Sequence, residues 1–430
     1  MSQRIDTQPV KGTRDVYPDD MRVRQWLFAH WRKVAAQFGF EEYDACVLES
    51  ESLYVRKAGD EITGQLYNFT DKGGRQVALR PEMTPTLARM VMARGAQLAM
   101  PLRWNTIAQC FRYERMQRGR KREHFQWNMD IVGLASVAAE AELMAAQAAF
   151  LQAVGLPSAG IVFKVSHRGI LQHYLQQLGI DDQRFSAVCV VIDKHDKIGP
   201  EATVQLLAEH GVDAATAQSI LELMAVRGLE QLRDVVAADN PGLNDLEQLM
   251  TLAAAYGIAE SITIDCSVVR GLSYYTGTVW ELFDASGSVP RAVAGGGRYD
   301  GLLEHLGGTP APMVGFGFGD VVILDVLSEH GLLPALDKGI DDVVFPLRAE
   351  VFPQAAALAQ QLRGQGRHVV VDYSERRFKH IIARAEQDGA EHLYVIGPDE
   401  AARGVAKKRV VGQREESEIA LPNGGTVSQE

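Results

Sequence analysis

One stretch of strict alternation constrains the fold of this chain more than any other feature. Its polar members are His124, Gln126, Asn128 and Asp130, and its apolar members are Phe125, Trp127, Met129 and Ile131. Side chains of a β-strand point to opposite faces in turn, so the pattern predicts a strand with one face in a hydrophobic core. In a covered sheet the polar face would line a cavity and need partners, which a small polar substrate could supply. An edge hairpin with one face in water is the alternative.

A basic loop precedes this strand. Residues 112–122 carry six basic side chains and a single acid, Glu114, although the whole chain of 430 residues has a formal net charge of −11. The basic residues are Arg112, Arg115, Arg118, Arg120, Lys121 and Arg122. Arginine forks suit bidentate contacts with phosphate, so the loop indicates an anionic ligand; a solvated turn is the alternative.

The elements around the loop predict an α+β domain with a mostly antiparallel sheet. Strands are expected at 102–113 and 123–133, a hairpin at 67–80, and helices at 20–38 and 136–154. A further helix should begin near Thr84, a possible N-cap, with Pro85 at its first position. The segment FSAVCVVID is a strand candidate that could also continue a helix.

The chain divides into two predicted domains. The first spans 1–330 and contains a helical insertion at about 194–258, where β-branched runs and glycine become scarce. The second spans 336–430, where strands and helices alternate as βαβαβ, the pattern of a small α/β domain with parallel pairing.

Composition narrows the class of protein without giving a function. Four widely spaced cysteines form no CxxC pair, so neither a zinc knuckle nor a disulfide framework is indicated, and a reducing cytoplasm is expected. The polar N-terminal residues do not read as a signal peptide, and no apolar run reaches transmembrane length.

Three further motifs are candidates for ligand binding because they are rich in polar residues or in glycine. In LRPEMTPT, Glu82 and Thr84 present a carboxylate and a hydroxyl together, which suits an ammonium group, although a capping role for Thr84 is equally open. VRGLSYYTGTVWE joins Arg270 to two tyrosines before a strand, and AVAGGGRYDGL permits close approach of a ligand to backbone or forms a simple turn. Neither AVAGGGRYDGL nor GFGFGD matches a P-loop or a dinucleotide fingerprint.

Together these motifs resemble the histidyl-tRNA synthetases, which are class II aminoacyl-tRNA synthetases, over nearly the whole chain. KGTRDVYP is similar to the family's N-terminal segment, LRPEMTPTLARM to its amino-group-binding segment, and FRYERMQRGRKREHFQWNMDI to class II motif 2. RGLSYYTGTVWE and AGGGRYDGL resemble the two histidine-specific motifs, and the last ~95 residues resemble the anticodon-binding domain.

The resemblance implies an enzyme that activates histidine with ATP and Mg²⁺ and charges histidine tRNA as a cytoplasmic homodimer with no membrane association. Arg270 and Arg112 would act on the α-phosphate and the histidine carboxylate. The implied histidine-binding residues are Glu82, Thr84, Gln126, Asp130, Arg270, Tyr274, Tyr275 and Tyr299. The implied ATP-binding residues are Arg112, Arg120, Arg122 and Gly317, with no metal held by protein alone.

This sequence departs from the family pattern at three positions. Val322 stands where motif 3 usually carries an arginine that contacts ATP, Ser273 where many members have aspartate, and Cys46 where motif 1 usually has a proline at the dimer interface. Arg120 or Arg122 is expected to compensate for Val322. The alternative functions are a paralogue that activates histidine without charging tRNA, and a regulatory histidine-binding subunit of ATP phosphoribosyltransferase.

Overall fold

The computed structural model describes residues 5–55, 64–115, 117–269, 274–374, 377–413 and 415–422. The chain forms two compact units, Met1–Leu333 and Pro334–Glu430. Each unit has its own sheet and its own hydrophobic core.

Among the described residues, the sheet of the first unit has eight strands: β1 Glu41–Glu42, β5 Leu102–Phe111, β6 Glu123–Val132, β7 Ile161–His167, β8 Ile262–Ile264, β9 Thr278–Asp284, β10 Ala294–Arg298 and β11 Met313–Gly319. Their order across the sheet is β1-β5-β6-β11-β10-β9-β7-β8. Pairing is antiparallel from β5 through β7, and the short strands β1 and β8 pair parallel at the two edges. The predicted hairpin around the basic loop is confirmed, and its second strand lies inside the sheet, not at an edge.

Helices Pro18–Gln37 and Ala138–Ala153 cover the apolar face of this sheet. Trp127 of β6 stacks on Trp31 with ring centroids 5.8 Å apart, and Phe150 and Phe318 close the aromatic cluster. Burial of side chains this large gives the apolar half of the alternating strand a strong energetic preference for one register.

A second, three-stranded sheet has the order β2-β4-β3, with bounds β2 Leu48–Ser50, β3 Tyr67–Thr70 and β4 Gln76–Leu79. The hairpin predicted at 67–80 is confirmed. Short helix Ser52–Val55 follows β2, and helix Thr84–Arg94 follows β4. The prediction that Thr84 caps this helix is wrong: Thr84 is already its first residue, Met83 precedes it, and no side chain caps the end.

Helices dominate the middle of the first unit. They are Arg168–Gln177, Asp182–Glu209, Ala214–Met224, Leu229–Val235 and Pro241–Ala255. The strand prediction for FSAVCVVID is wrong, because this segment lies inside Asp182–Glu209, where its apolar residues pack at helical spacing into the core. The same long helix is broken at Gly199, where φ is 80° directly before Pro200. Helices Leu302–His305 and Asp320–Glu329 flank β11.

The second unit holds a five-stranded sheet in the order β13-β12-β14-β15-β16. Its strands are β12 Asp342–Pro346, β13 Val369–Val371, β14 His392–Ile396, β15 Val405–Val410 and β16 Glu416–Ala420, and its helices are Phe352–Gly364, Phe378–Gln387 and Pro398–Ala402. The first three strands pair parallel, as the βαβαβ pattern predicts, whereas β15 and β16 add an antiparallel hairpin that the pattern did not indicate.

None of the described helices combines the length and the apolar character needed to span a membrane.

Candidate functional site

The polar face of the large sheet is made largely of glycine beside the polar side chains of β6. Opposite Asp130 lies Gly315, and opposite Asn128 lies Gly317; the next strand places Gly297 and Gly295 beside them. A Cβ on Gly315 would overlap the Asp130 carboxylate, and a Cβ on Gly317 would overlap the Gln126 amide. The glycines therefore allow side chains from β6 to lie flat across the neighbouring strand.

Asp130 is the most deeply buried carboxylate on this face, with 1% of its surface exposed. The Tyr299 hydroxyl donates a short hydrogen bond to its Oδ1, while Oδ2 has no partner among the described residues. Burial raises the pKa of Asp130 to about 7, against the opposing effect of the Tyr299 hydrogen bond. An orphaned buried oxygen of this kind is an acceptor ready for a donor from a ligand.

A second carboxylate faces the same cavity from outside the sheet. Glu82 is 5% exposed, and the Tyr274 hydroxyl donates a hydrogen bond of 2.9 Å to its Oε2. The Thr84 side chain also acts on Tyr274 and lowers the pKa of its phenol slightly. Burial, reinforced by Glu82, raises the pKa of Tyr274 well above its usual value, so the phenol stays protonated and donates.

Three tyrosine rings join the two carboxylates into one site. The centroid of Tyr274 lies 5.0 Å from that of Tyr275 and 5.7 Å from that of Tyr299, and Tyr275 and Tyr299 are 6.3 Å apart. Burial and Asp130 raise the pKa of Tyr299 well above its usual value. The structure thus brings together Glu82, Thr84, Asp130 and all three predicted tyrosines, although they come from four separate segments of the chain.

The opposite end of the polar row is occupied by uncharged groups. Burial, with a contribution from Arg112, lowers the pKa of His124 to about 3, so this imidazole is neutral at physiological pH. The Gln126 side chain opposes this lowering of the His124 pKa, and its amide lies over Gly317. Gln126 therefore separates the acidic pocket around Asp130 from the basic loop.

The basic loop, residues 112–122, is tied down by its own arginines. Arg112 donates from Nε to the Pro81 carbonyl oxygen at 2.9 Å, and Arg120 forms an ion pair of 3.0 Å with Glu114. Arg122 lies over the Tyr113 ring at 3.8 Å and donates to two backbone carbonyl oxygens. These contacts give the loop a defined shape while leaving its positive charge only partly neutralised.

The start of helix Asp320–Glu329 carries a buried acid, Asp320, which the sequence analysis did not single out. Arg14 forms an ion pair with Asp320, and the Phe125 backbone N–H donates to Asp320 Oδ1 at 2.9 Å. Val322 follows on the same helix and is half-buried among the hydrophobic residues of the core. Arg14 thereby anchors the N-terminal segment beside the loop.

Arg298 lies between the glycines of β10 and Tyr299, and its contacts stabilise the fold around the site. Arg298 is 7% exposed, its guanidinium forms a bidentate ion pair of 2.6 Å with Glu140, and it also donates to the backbone oxygens of Leu134 and Ser136. This network fixes the end of β10 and so the position of Tyr299. Arg270 lies outside the described residues.

The site as a whole joins two chemical environments. A buried pocket with two carboxylates and three aromatic phenols suits a small cation or N–H donor, because desolvated carboxylates bind such groups strongly. The neighbouring cationic loop suits phosphate. The arrangement can hold a small amino compound against a polyphosphate.

Comparison with known proteins follows the same division of the chain. A family model described as histidyl-tRNA synthetase matches residues 12–319, and one described as anticodon binding domain matches residues 341–426. The histidine–tRNA ligase of Arabidopsis thaliana chloroplasts and mitochondria is 43% identical over 97% of this chain and 86% of that protein. The histidine–tRNA ligase of Opitutus terrae is 41% identical over 96% of this chain and 95% of that protein. The crystal structure of histidyl-tRNA synthetase from Nostoc sp. PCC 7120 shares the fold, with a TM-score of 0.79, 24% identity and 97% of each chain covered.

Proposed function

We propose that this chain, which belongs to the histidyl-tRNA synthetase family, is a histidine–tRNA ligase. A carboxylate oxygen of histidine attacks the α-phosphorus of ATP, pyrophosphate leaves, and the histidyl group of the adenylate is then transferred to histidine tRNA. The observation that carries the proposal is the buried pocket in which Asp130 and Glu82 are each bound to a tyrosine, beside a cationic loop. Relatives 43% and 41% identical over most of this chain are histidine–tRNA ligases.

In this proposal the pocket recognises both ends of histidine. Glu82 and Thr84 bind the ammonium group, and Gln126 lines the pocket beside them. Asp130 accepts a hydrogen bond from the imidazole through Oδ2, which has no other partner among the described residues. Tyr275 and Tyr299 pack against the ring, and Tyr274 positions Glu82. Ligands that cannot donate to Asp130 would leave its carboxylate buried and unpaired, which gives strong discrimination.

ATP would occupy the side of the cavity next to the basic loop. Arg112, held at Nε by Pro81, can direct its terminal nitrogens towards the α-phosphate and the histidine carboxylate. Gly317 leaves room at the strand surface, and the ATP contacts of Arg120 and Arg122 stay predictions. Mg²⁺ would be carried by the phosphates, since among the described residues no three His, Cys, Asp or Glu side chains are grouped to hold a metal ion.

Arg270 keeps the role that the resemblance implies, stabilisation of charge on the α-phosphate during attack. Such a preorganised donor typically contributes ~10²–10³ in rate. No covalent intermediate with the enzyme is required, because positioning and electrostatics supply the catalysis.

The second unit would bind tRNA. Three of its basic residues already form ion pairs with acids of this unit. These pairs are Arg403 with Glu418, Lys407 with Glu400, and Arg409 with Glu416. No described carboxylate lies within 4 Å of Lys379 or Lys408, so these two lysines are the cations we expect to meet phosphate. The anticodon-binding match over residues 341–426 favours a ligase over a regulatory subunit.

The proposal also includes an oligomeric state and a location in the cell. We propose that the protein is a homodimer that associates through the three-stranded sheet β2-β4-β3. Val47, Leu48 and Phe69 are exposed apolar residues on or beside this sheet. A cytoplasmic location accords with the four free thiols of Cys46, Cys110, Cys189 and Cys266.

The test of the function is charging of histidine tRNA by the full chain. Purified protein, ATP, Mg²⁺, radiolabelled histidine and histidine tRNA should give acid-precipitable histidyl-tRNA. A chain ending at Leu333, if it folds, should still form adenylate but charge tRNA poorly. Adenylate formation without charging by the full chain would favour the paralogue that uses another acceptor.

A further inference from the structure

Arg291 reaches the basic loop from the connection between β9 and β10. The backbone of Gly119, at the turn of the basic loop, lies between Arg291 and Val322: a Cβ placed on Gly119 would be 2.9 Å from Arg291 Cδ and 3.5 Å from Val322 Cγ2. Gly119 has a φ of 75°, which also favours glycine. Three distant segments of the chain therefore meet at this one glycine, and Val322 brings neither a charge nor a hydrogen-bonding group to it.

Arg291 is held by one hydrogen bond from its backbone and one from the end of its side chain. Its backbone N–H donates to the Val289 carbonyl oxygen at 2.8 Å, and its Nη2 donates to Gln117 Oε1 at 2.6 Å. Among the described residues no carboxylate lies within 4 Å of its guanidinium, so the charge is held in place without a counter-ion.

The surroundings of Arg291 are positively charged. Burial and the neighbouring Arg120 lower the pKa of Arg291, and only the more weakly acting Glu114 opposes them. Glu114 is already the ion-pair partner of Arg120 at 3.0 Å. Two guanidinium groups thus lie near one carboxylate that only Arg120 contacts, in a partly buried place, and an added anion would stabilise this arrangement.

We propose that Arg291 contacts the phosphates of ATP and supplies the cation that Val322 cannot. This inference rests on the proposed function for the identity of the anion. A guanidinium offers two parallel donors to a phosphate, and the Gln117 contact engages only one of the terminal nitrogens of Arg291. The β9–β10 connection thereby joins the basic loop as part of the nucleotide site, in preference to the Arg120 or Arg122 substitution predicted from the sequence.

Arg291→Ala is the first variant to test, in histidine-dependent ATP–pyrophosphate exchange by the full chain. Loss of a charge-assisted phosphate contact should raise KM for ATP ~10- to 100-fold, with KM for histidine changed less than about 2-fold. Arg291→Lys should recover part of the loss, because a point charge remains. Arg233→Ala, which removes an exposed arginine of the helical region paired with Glu247, is the matched control and should leave both constants unchanged.

A second variant separates phosphate binding from support of the loop. Val322→Arg in the Arg291→Ala background should lower KM for ATP again, because it returns a cation to the other side of Gly119. An unchanged KM for ATP in Arg291→Ala would overturn the inference and leave the proposed function standing. Equal increases in both KM values with a lowered Tm would also overturn it, since they would show only a structural role. Wild-type protein without histidine-dependent exchange would refute the proposed function itself.

Discussion

The two ends of the site are built on different physical principles. At the Asp130 end, Asp130, Glu82 and Tyr299 are buried, the hydrogen bonds run between residues far apart in sequence, and the side chains pack closely against the glycines of β10 and β11. At the basic loop, arginines are partly exposed and bind backbone oxygens or single acids, on the loop itself or on neighbouring segments. In the proposed function, this difference means that the amino-acid pocket is preorganised, whereas the nucleotide end can exchange one cation for another.

The Asp130 end should give the largest effect on activity. Asp130→Asn keeps the size of the side chain and an acceptor for Tyr299, but it removes the negative charge. We expect kcat/KM for histidine in pyrophosphate exchange to fall ~10²–10³-fold, because a buried charged partner of the substrate is lost. KM for ATP should change little. A variant with normal histidine kinetics would show that the two ends do not differ as described.

The same substitution should affect stability in the opposite direction. The pKa of Asp130 is raised by burial from 3.8 to about 7, so ionisation costs the folded state free energy as pH rises between these values. Three pKa units correspond to ~4 kcal/mol at most. Below about pH 4 wild type and Asp130→Asn should have similar free energies of unfolding; at pH 8 the variant should be the more stable by a few kcal/mol. Denaturant unfolding at both pH values measures this, and a constant difference would contradict the raised pKa.

A smaller effect is expected where a hydrogen bond is lost but the charge stays. Tyr274→Phe removes the donor to Glu82 Oε2 and leaves the ring packing against Tyr275 and Tyr299. KM for histidine should rise about 10-fold, in line with a hydrogen bond to a charged group. Tyr174→Phe is the matched control, since its hydroxyl donates to the Ser219 carbonyl oxygen in the helical region. Equal changes in both variants would show a general effect of losing a phenol.

The basic loop should tolerate single changes best. Arg122→Ala removes the contact with Tyr113 and two hydrogen bonds to backbone oxygens, so the loop loosens but keeps its other cations. KM for ATP should rise about 5-fold with KM for histidine unchanged. Arg75→Ala, which removes an exposed ion pair with Asp71 on the small sheet, is the control. A loss as large as that of Asp130→Asn would mean that the loop is as rigidly specified as the pocket.

The sequence predicted local features well and long-range pairing poorly. Alternation placed Asp130 and Gln126 on a polar face, because side-chain direction in a strand is a local property. That Tyr299 would bind Asp130, 169 residues away, depends on the strand order and has no local signal. Arg298 had the same sequence context as Tyr299 but binds Glu140, because residues adjacent on a strand point to opposite faces. Thr84 fell one position inside the helix it was expected to cap.

Amino-acid specificity of ATP–pyrophosphate exchange tests the preorganised pocket most directly. Wild-type protein should be measured with Mg²⁺, ATP and each of the common amino acids in turn. We expect exchange with histidine alone, with discrimination of ~10⁴ or more against amino acids whose side chains cannot donate to Asp130. Comparable exchange with several amino acids would contradict it.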